Sequence, residues 1–142
     1  MALAQRFALP EIVGRLLAAR GVETFLAPTL RALMPDPSIL TDMDRGADRL
    51  ARAVIAGQRI AVFGDYDVDG ATASALLYRF FRAVGSEIGI YIPDRLREGY
   101  GPNAPALRRL RDRGVDVVVT VDCGITAFEA LEAAREAGLD VI

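Results

Sequence analysis

Between Val117 and Val121 the chain reads Val-Val-Val-Thr-Val, and a strand with so little polar alternation has no face to offer to water. Such strands belong in sheets covered on both sides, as parallel sheets are. Ile60 to Phe63 repeats the pattern, Glu87 to Ile92 supplies a further strand, and Asp140-Val141-Ile142 begins another. Segments of helical period lie between them. Ala71 to Val84 places Ala75, Leu76, Phe80, Phe81 and Val84 inward and stops at Gly85, and Asn103 to Arg113 stops at Gly114. Thr126-Ala127-Phe128-Glu129 reads as a capping box for a last helix ending at Gly138. Strands alternating with helices of this length require right-handed crossovers, so the expected class is α/β, a parallel sheet with flanking helices.

The first 57 residues read differently. Pro10 opens a helix with Ile12, Val13, Leu16 and Leu17 on one face and Gly21 as its stop. Pro28, Pro35 and Pro37 then interrupt the chain, and a second helix, Asp44 to Ala56, closes at Gly57. The expected organisation is a short helical leader over residues 1–57 and an α/β domain over 58–142. A chain that stops two or three residues into a buried strand leaves its sheet uncovered, so the α/β domain is expected to be truncated at its C-terminus.

Composition narrows the setting. With 52% hydrophobic and 25% charged residues the chain is that of an ordinary globular protein, and no apolar run reaches the ~18 residues of a membrane span. A single cysteine and no signal-peptide pattern fit a reducing cytoplasm. The net charge of −2 gives no global basic field for nucleic acid, although local arginines can still hold phosphates. Every cation is arginine, a bias that a GC-rich genome accounts for.

The strongest chemical signal is Gly64-Asp65-Tyr66-Asp67-Val68-Asp69-Gly70, directly after an apolar strand. In extended backbone Asp65, Asp67 and Asp69 would share one side, with Tyr66 and Val68 facing the protein. Three carboxylates held together repel unless a cation neutralises them, and hard oxygen ligands suit Mg²⁺ or Mn²⁺. Ligands also bind beyond the carboxyl ends of strands in α/β sheets. An EF-hand loop would need a glutamate where Leu76 stands, and an aspartyl-phosphatase loop a threonine where Asp69 stands. Asp122 ends the valine strand at the same sheet edge. Such an aspartate often only caps a turn, but beside the first cluster it becomes a candidate bridging ligand. Cys123, next to it, is either a soft ligand or a small packed residue.

A third segment, Tyr91-Ile92-Pro93-Asp94-Arg95-Leu96-Arg97-Glu98-Gly99-Tyr100-Gly101, also follows a strand. Arg95 and Arg97 can grip phosphate and Tyr100 can stack on a base, or the segment is a surface loop whose glycines only make turns. Arg108, Arg109, Arg111 and Arg113 spread around their helix and read as solvated surface.

The GDYDVDG run, the IPDRLREGYG loop and the VTVDCGI segment, in this order, resemble the RecJ branch of the DHH phosphoesterase superfamily. The flanks join in: Ala18 to Val22 with Phe25-Leu26, and Leu40 to Met43. The resemblance implies a DHH-type N-terminal domain and two divalent ions, Mn²⁺ or Mg²⁺. Asp67 and Asp69 would be ligands, Asp122 would bridge both ions, and Asp65 would be a ligand or a close neighbour. Arg95 and Tyr100, with Gly99 and Gly101, would hold the DNA strand. The implied activity is 5′ to 3′ hydrolysis of single-stranded DNA in repair and recombination, with water activated by the ions. Single-strand-binding protein and a helicase are the implied partners, and no membrane. The family's Asp-His-His motif is absent, and the chain holds no histidine at all. The 142 residues alone are therefore expected to show little activity. Alternatives within reach are a cyclic-dinucleotide or short-oligonucleotide phosphodiesterase, a manganese pyrophosphatase, and a non-catalytic replication scaffold, which would be expected to lose acids retained here. Pro102 departs from the aliphatic residue usual after the loop.

Overall fold

The computed structural model describes residues 2–21, 26 and 29–142. Val22, Phe25 and Pro28, which carry part of the leader's pattern, lie outside the described residues. The chain folds as two compact units, Met1–Met43 and Asp44–Ile142.

In the first unit, α1 (Ala2–Arg6) packs closely on α2 (Glu11–Arg20). Gly14 permits the approach, since a Cβ there would lie 2.8 Å from that of Ala4. Pro10 occupies the cap position just before α2, not the first turn, and Gly21 closes the helix in the left-handed region at φ 63°. A short helix, α3 (Leu30–Leu33), and a 3₁₀ turn at Pro37–Ile39 follow, each started by a side-chain cap, Thr29 and Asp36.

The second unit contains the sheet. α4 (Met43–Ile55) runs into β1 (Ile60–Phe63), then α5 (Val68–Ala83), β2 (Ile88–Tyr91), α6 (Arg95–Glu98), α7 (Ala104–Asp112), β3 (Val117–Thr120), α8 (Phe128–Glu136) and β4 (Asp140–Val141). All pairings are parallel, in the order β2-β1-β3-β4. The division after Met43 leaves most of α4 with the sheet, whereas the sequence suggests a leader reaching residue 57. Ala53 of α4 shows why, because it is fully buried with Ile60 and Val117 of the strands and Phe81 of α5.

Period-two alternation in β1 and β3 builds two cores. Ala61, Phe63 and Val118 face α7 and α8 through Leu107, Leu110, Ala130 and Ala134, while Ile60, Val117 and Val119 face α4 and α5. Both central strands are thus sealed on both faces, and each large side chain so buried contributes about 1.5–3 kcal/mol. The outer strand β2 is different: Ile90 is half exposed, because an edge strand has a neighbour on one side only.

Two expected helix starts are corrected. α5 begins at Val68, not Ala71, because Asp67 caps it by accepting from the Gly70 N–H at 3.0 Å. Thr126 caps nothing; α8 starts at Phe128 after Ala127, without a side-chain cap.

Candidate metal centre

The chain crosses from one side of β1 to the other between β2 and β3, which opens a crevice beyond the carboxyl ends of β1 and β3. Asp65 follows β1 by two residues and Asp122 follows β3 by two. Strand pairing therefore brings together two acids that are 57 positions apart in sequence. Oxygens of Asp65, Asp67 and Asp122 all lie within 4.8 Å of one another.

Each carboxylate is held by a separate device. Asp65 is buried, and its Oδ1 accepts from the Tyr66 N–H at 2.8 Å. Close backbone packing fixes it, since Gly70 passes so near that a Cβ there would lie 2.6 Å from the Asp65 carbonyl oxygen. On the same turn a Cβ at Gly64 would lie 2.3 Å from the Ser74 hydroxyl, itself buried and donating to the Gly70 carbonyl at 2.7 Å. Asp67 uses Oδ1 for the α5 cap. Asp122 sits in the left-handed region at φ 59°, uncommon for a non-glycine residue although aspartate tolerates it better than most.

Electrostatics point the same way. Removal from water, then the charge of Asp67, a hydrogen bond with Asp67 and the charges of Asp69 and Asp65 hold the Asp122 carboxyl above its ordinary range. No ion pair among the described residues joins Asp65, Asp67 or Asp122 to an arginine. Acids gathered without a counter-charge and aimed at one point fit a divalent cation with oxygen preference.

Asp69 is placed differently from the expectation. Because the helix has already begun, Asp69 lies in its first turn, outside the three-acid set, close enough only to add its charge to the field on Asp122. The same early start overturns the inward placing of Tyr66 and Val68, which are 51% and 75% exposed.

The segment after β2 borders this cluster. The Arg95 guanidinium lies 4.8 Å from the Tyr66 ring centre and 6.0 Å from that of Tyr100, an arrangement worth about 0.5–1 kcal/mol at an exposed site. The Tyr100 hydroxyl donates to the Asp122 carbonyl at 2.9 Å. Gly99 and Gly101 take φ 80° and 76°, the bends that carry the chain around Tyr100. Arg97 stays on the surface beside Asp94 at 3.6 Å.

Sequence reasoning missed the anchor of this segment. Glu98 accepts from the Tyr91 hydroxyl at 2.6 Å and the Asp94 N–H at 3.0 Å, and pairs with Arg109. These hydrogen bonds, led by that from Tyr91, hold the Glu98 carboxyl below its ordinary range. Arg109 is therefore no free surface cation, and neither is Arg111, which binds Asp116 at 3.0 Å. The only signal was an isolated glutamate seven residues beyond a strand tyrosine. Cys123 is a packed residue, partly buried with Sγ 3.7 Å from the Phe63 carbonyl oxygen, and burial raises its thiol above the ordinary range.

The fold and site together define an α/β domain with a cluster of acids at its topological switch point. Residues 59–142 match the DHH family, N-terminal domain, and the chain belongs to that family. It is 36% identical over 145 residues to the single-stranded-DNA-specific exonuclease RecJ of Bacillus subtilis, covering 99% of this chain and 18% of that protein. The Escherichia coli protein of the same name is 36% identical over 137 residues, covering 94% of this chain and 24% of the relative. A crystal structure of exonuclease RecJ bound to manganese superposes with a TM-score of 0.66 at 39% identity, covering 72% of this chain and 26% of that one. RecJ from Thermus thermophilus in complex with Mn²⁺ gives 0.61 at 32% identity, covering 75% of this chain and 15% of that one. The chain thus spans about a fifth of the length of the relatives it matches. Among the described residues no helix is long and apolar enough to cross a membrane.

Proposed function

We propose that this chain supplies the first part of a divalent-metal centre in a nuclease that hydrolyses single-stranded DNA from the 5′ end, in DNA repair and recombination. The observation that carries the proposal is the convergence of Asp65, Asp67 and Asp122 at the sheet edge of a DHH-family chain similar to RecJ proteins. Mn²⁺ or Mg²⁺ is the cation such a site would take, and the similar RecJ structures hold manganese. Asp67 and Asp122 would be its main protein ligands, with Asp65 beside them and Asp69, in the first turn of α5, adding its charge to the field. Bound there, a divalent cation lowers the energy of charge developing on a phosphodiester and acidifies water.

The chain's own residues divide the remaining tasks. Arg95, exposed between two aromatic rings, meets a backbone phosphate, and Tyr66 and Tyr100 present faces on which bases of a single strand stack. Gly99 lets the strand pass close to the backbone, and the buried Gly101 makes the bend that presents Tyr100. Single-strand-binding protein and a helicase, acting in the cytoplasm, are the partners that would expose such a substrate. With no histidine among its 142 residues, the chain alone is expected to bind Mn²⁺ but to turn over little.

A chimera in which this chain replaces the matched segment of the Bacillus subtilis relative tests the substrate. Mn²⁺-dependent release of nucleotides from single-stranded DNA, abolished by Asp122→Asn, is the expected result. Preference for a dinucleotide over a longer strand would refute the substrate class.

A further inference from the structure

We infer that Tyr100 is a positioning residue for the metal centre: through its hydroxyl it holds the backbone of Asp122 in the conformation that turns the Asp122 carboxylate toward Asp67. The inference rests on the metal-binding reading above and deepens it, because it gives a residue of the strand-holding segment a second task.

The backbone at Asp122 takes φ 59°, a left-handed conformation that aspartate tolerates better than most L-residues but that is still less populated than the extended or helical ones, so contacts that hold it favour this geometry. In an ordinary extended or helical conformation the chain after β3 would leave the crevice in another direction, and the carboxylate with it. Two contacts oppose that relaxation. Cys123 is tucked against β1 with its sulfur toward the Phe63 carbonyl, and the Asp122 carbonyl is gripped from the other side by the Tyr100 hydroxyl at 2.9 Å.

A donor is useful only if its own backbone is fixed. Glu98, two residues earlier, ties the segment to the sheet through Tyr91 and to α7 through Arg109. Immediately beyond Tyr100, Gly101 runs against Cys123, where a Cβ would lie 3.9 Å from that of the cysteine. The segment is anchored on both sides of Tyr100, so the hydroxyl works as a strut from a fixed base. Groups that touch a ligand without touching the ion set its direction, and metal affinity registers their loss.

The test separates this role from base stacking. Tyr100→Phe keeps the ring, its face and its contact with Arg95, and removes only the hydroxyl. Mn²⁺ binding to the 142-residue chain is measured from the loss of the free-ion EPR signal, for wild type, Tyr100→Phe, Asp122→Asn and the distant control Tyr78→Phe. A lost hydrogen bond of this kind corresponds to affinity about three- to ten-fold weaker in Tyr100→Phe, with Tyr78→Phe unchanged. Equal affinity of wild type and Tyr100→Phe overturns the inference while leaving the metal site intact. Absence of saturable binding by wild type removes the metal reading itself, and this inference with it. Tyr100 is 60% exposed, so the variant folds, and its circular dichroism confirms that before titration.

Discussion

Replacing Gly70 by alanine sets two physical effects of opposite sign against each other. Gly70 lies in the first turn of α5, where helix propensity alone favours alanine by up to about 1 kcal/mol. Packing says the reverse. The added methyl would sit 2.6 Å from the Asp65 carbonyl oxygen, 2.7 Å from its nitrogen and 2.8 Å from its carbonyl carbon. The first of these is about 0.8 Å short of an ordinary contact, and all three atoms are backbone, with no rotamer to yield. Overpacking of this sort costs about 1–3 kcal/mol. Any retreat of α5 also lengthens the bond from the Gly70 N–H to Asp67, a cap worth about 0.5–2 kcal/mol.

Taking the upper part of the packing range because the obstacle is backbone, the net loss is about 2–3 kcal/mol, a fall in Tm of roughly 6–12 °C for a chain of this length. Urea melts of the metal-free chain measure it, with Ala71→Gly in the same helix turn reporting propensity alone. Mn²⁺ titration of the same variant should show weakened binding, because the clash pries Asp65 from Asp67. If Gly70→Ala is as stable as wild type or more so, the close approach of α5 to Asp65 is wrong and the account of how the acids are held falls with it.

Asp122→Asn should stabilise the metal-free protein and make it indifferent to Mn²⁺. With its folded-state proton affinity raised, Asp122 holds a proton in the native chain that the unfolded chain releases, so stability falls as pH rises through the raised value. Melts in chelator should then show the variant gaining over wild type at pH 8 and converging with it at pH 4; a loss at pH 8 would contradict the crowding of charge. Glu98→Gln should do the opposite at acid pH. The depressed Glu98 contributes stability that is present above its ordinary value and lost as pH falls through its folded value, so the deficit of Glu98→Gln should shrink in acid. Hydrogen exchange should also quicken at Arg95 to Gly101; unchanged exchange there would mean that Glu98 does not anchor the segment.

The strands were legible because their composition leaves no choice. Four consecutive apolar residues at Ile60–Phe63 and the valines of β3 allow nothing but a sheet sealed on both faces, and the boundaries follow within a residue or two. The turn into α5 was legible in its chemistry and not in its geometry. Asp-Tyr-Asp-Val-Asp alternates, which invites an extended reading, yet Asp67 is also a good helix cap with a glycine three residues on. Once the cap forms, each residue turns by about 100° instead of about 180°, so Asp69 and Val68 leave the sides that alternation assigns them. Thr126-to-Glu129 misled in the converse way: the pattern of a capping box is there, but the turn at Gly124, with φ 101°, delays the helix past the threonine.

What the linear sequence cannot hold is adjacency. Each acid could be seen to end a strand, and Glu98, Arg109 and Tyr100 could each be given a role alone. The order β2-β1-β3-β4 decides that β1 and β3 are neighbours, and only that choice turns two strand-ending aspartates into one cluster. Had β3 paired outside β2 instead, Asp122 would lie two strands from Asp65, about 10 Å away at the usual strand spacing, too far for one cation. The segment after β2 passes over the end of β1 to reach the turn after β3, where Tyr100 meets Asp122. The proposed metal site and the proposed strand-holding segment are therefore linked by topology: the crossing that gathers the carboxylates also lays the Arg95–Tyr100 segment beside them.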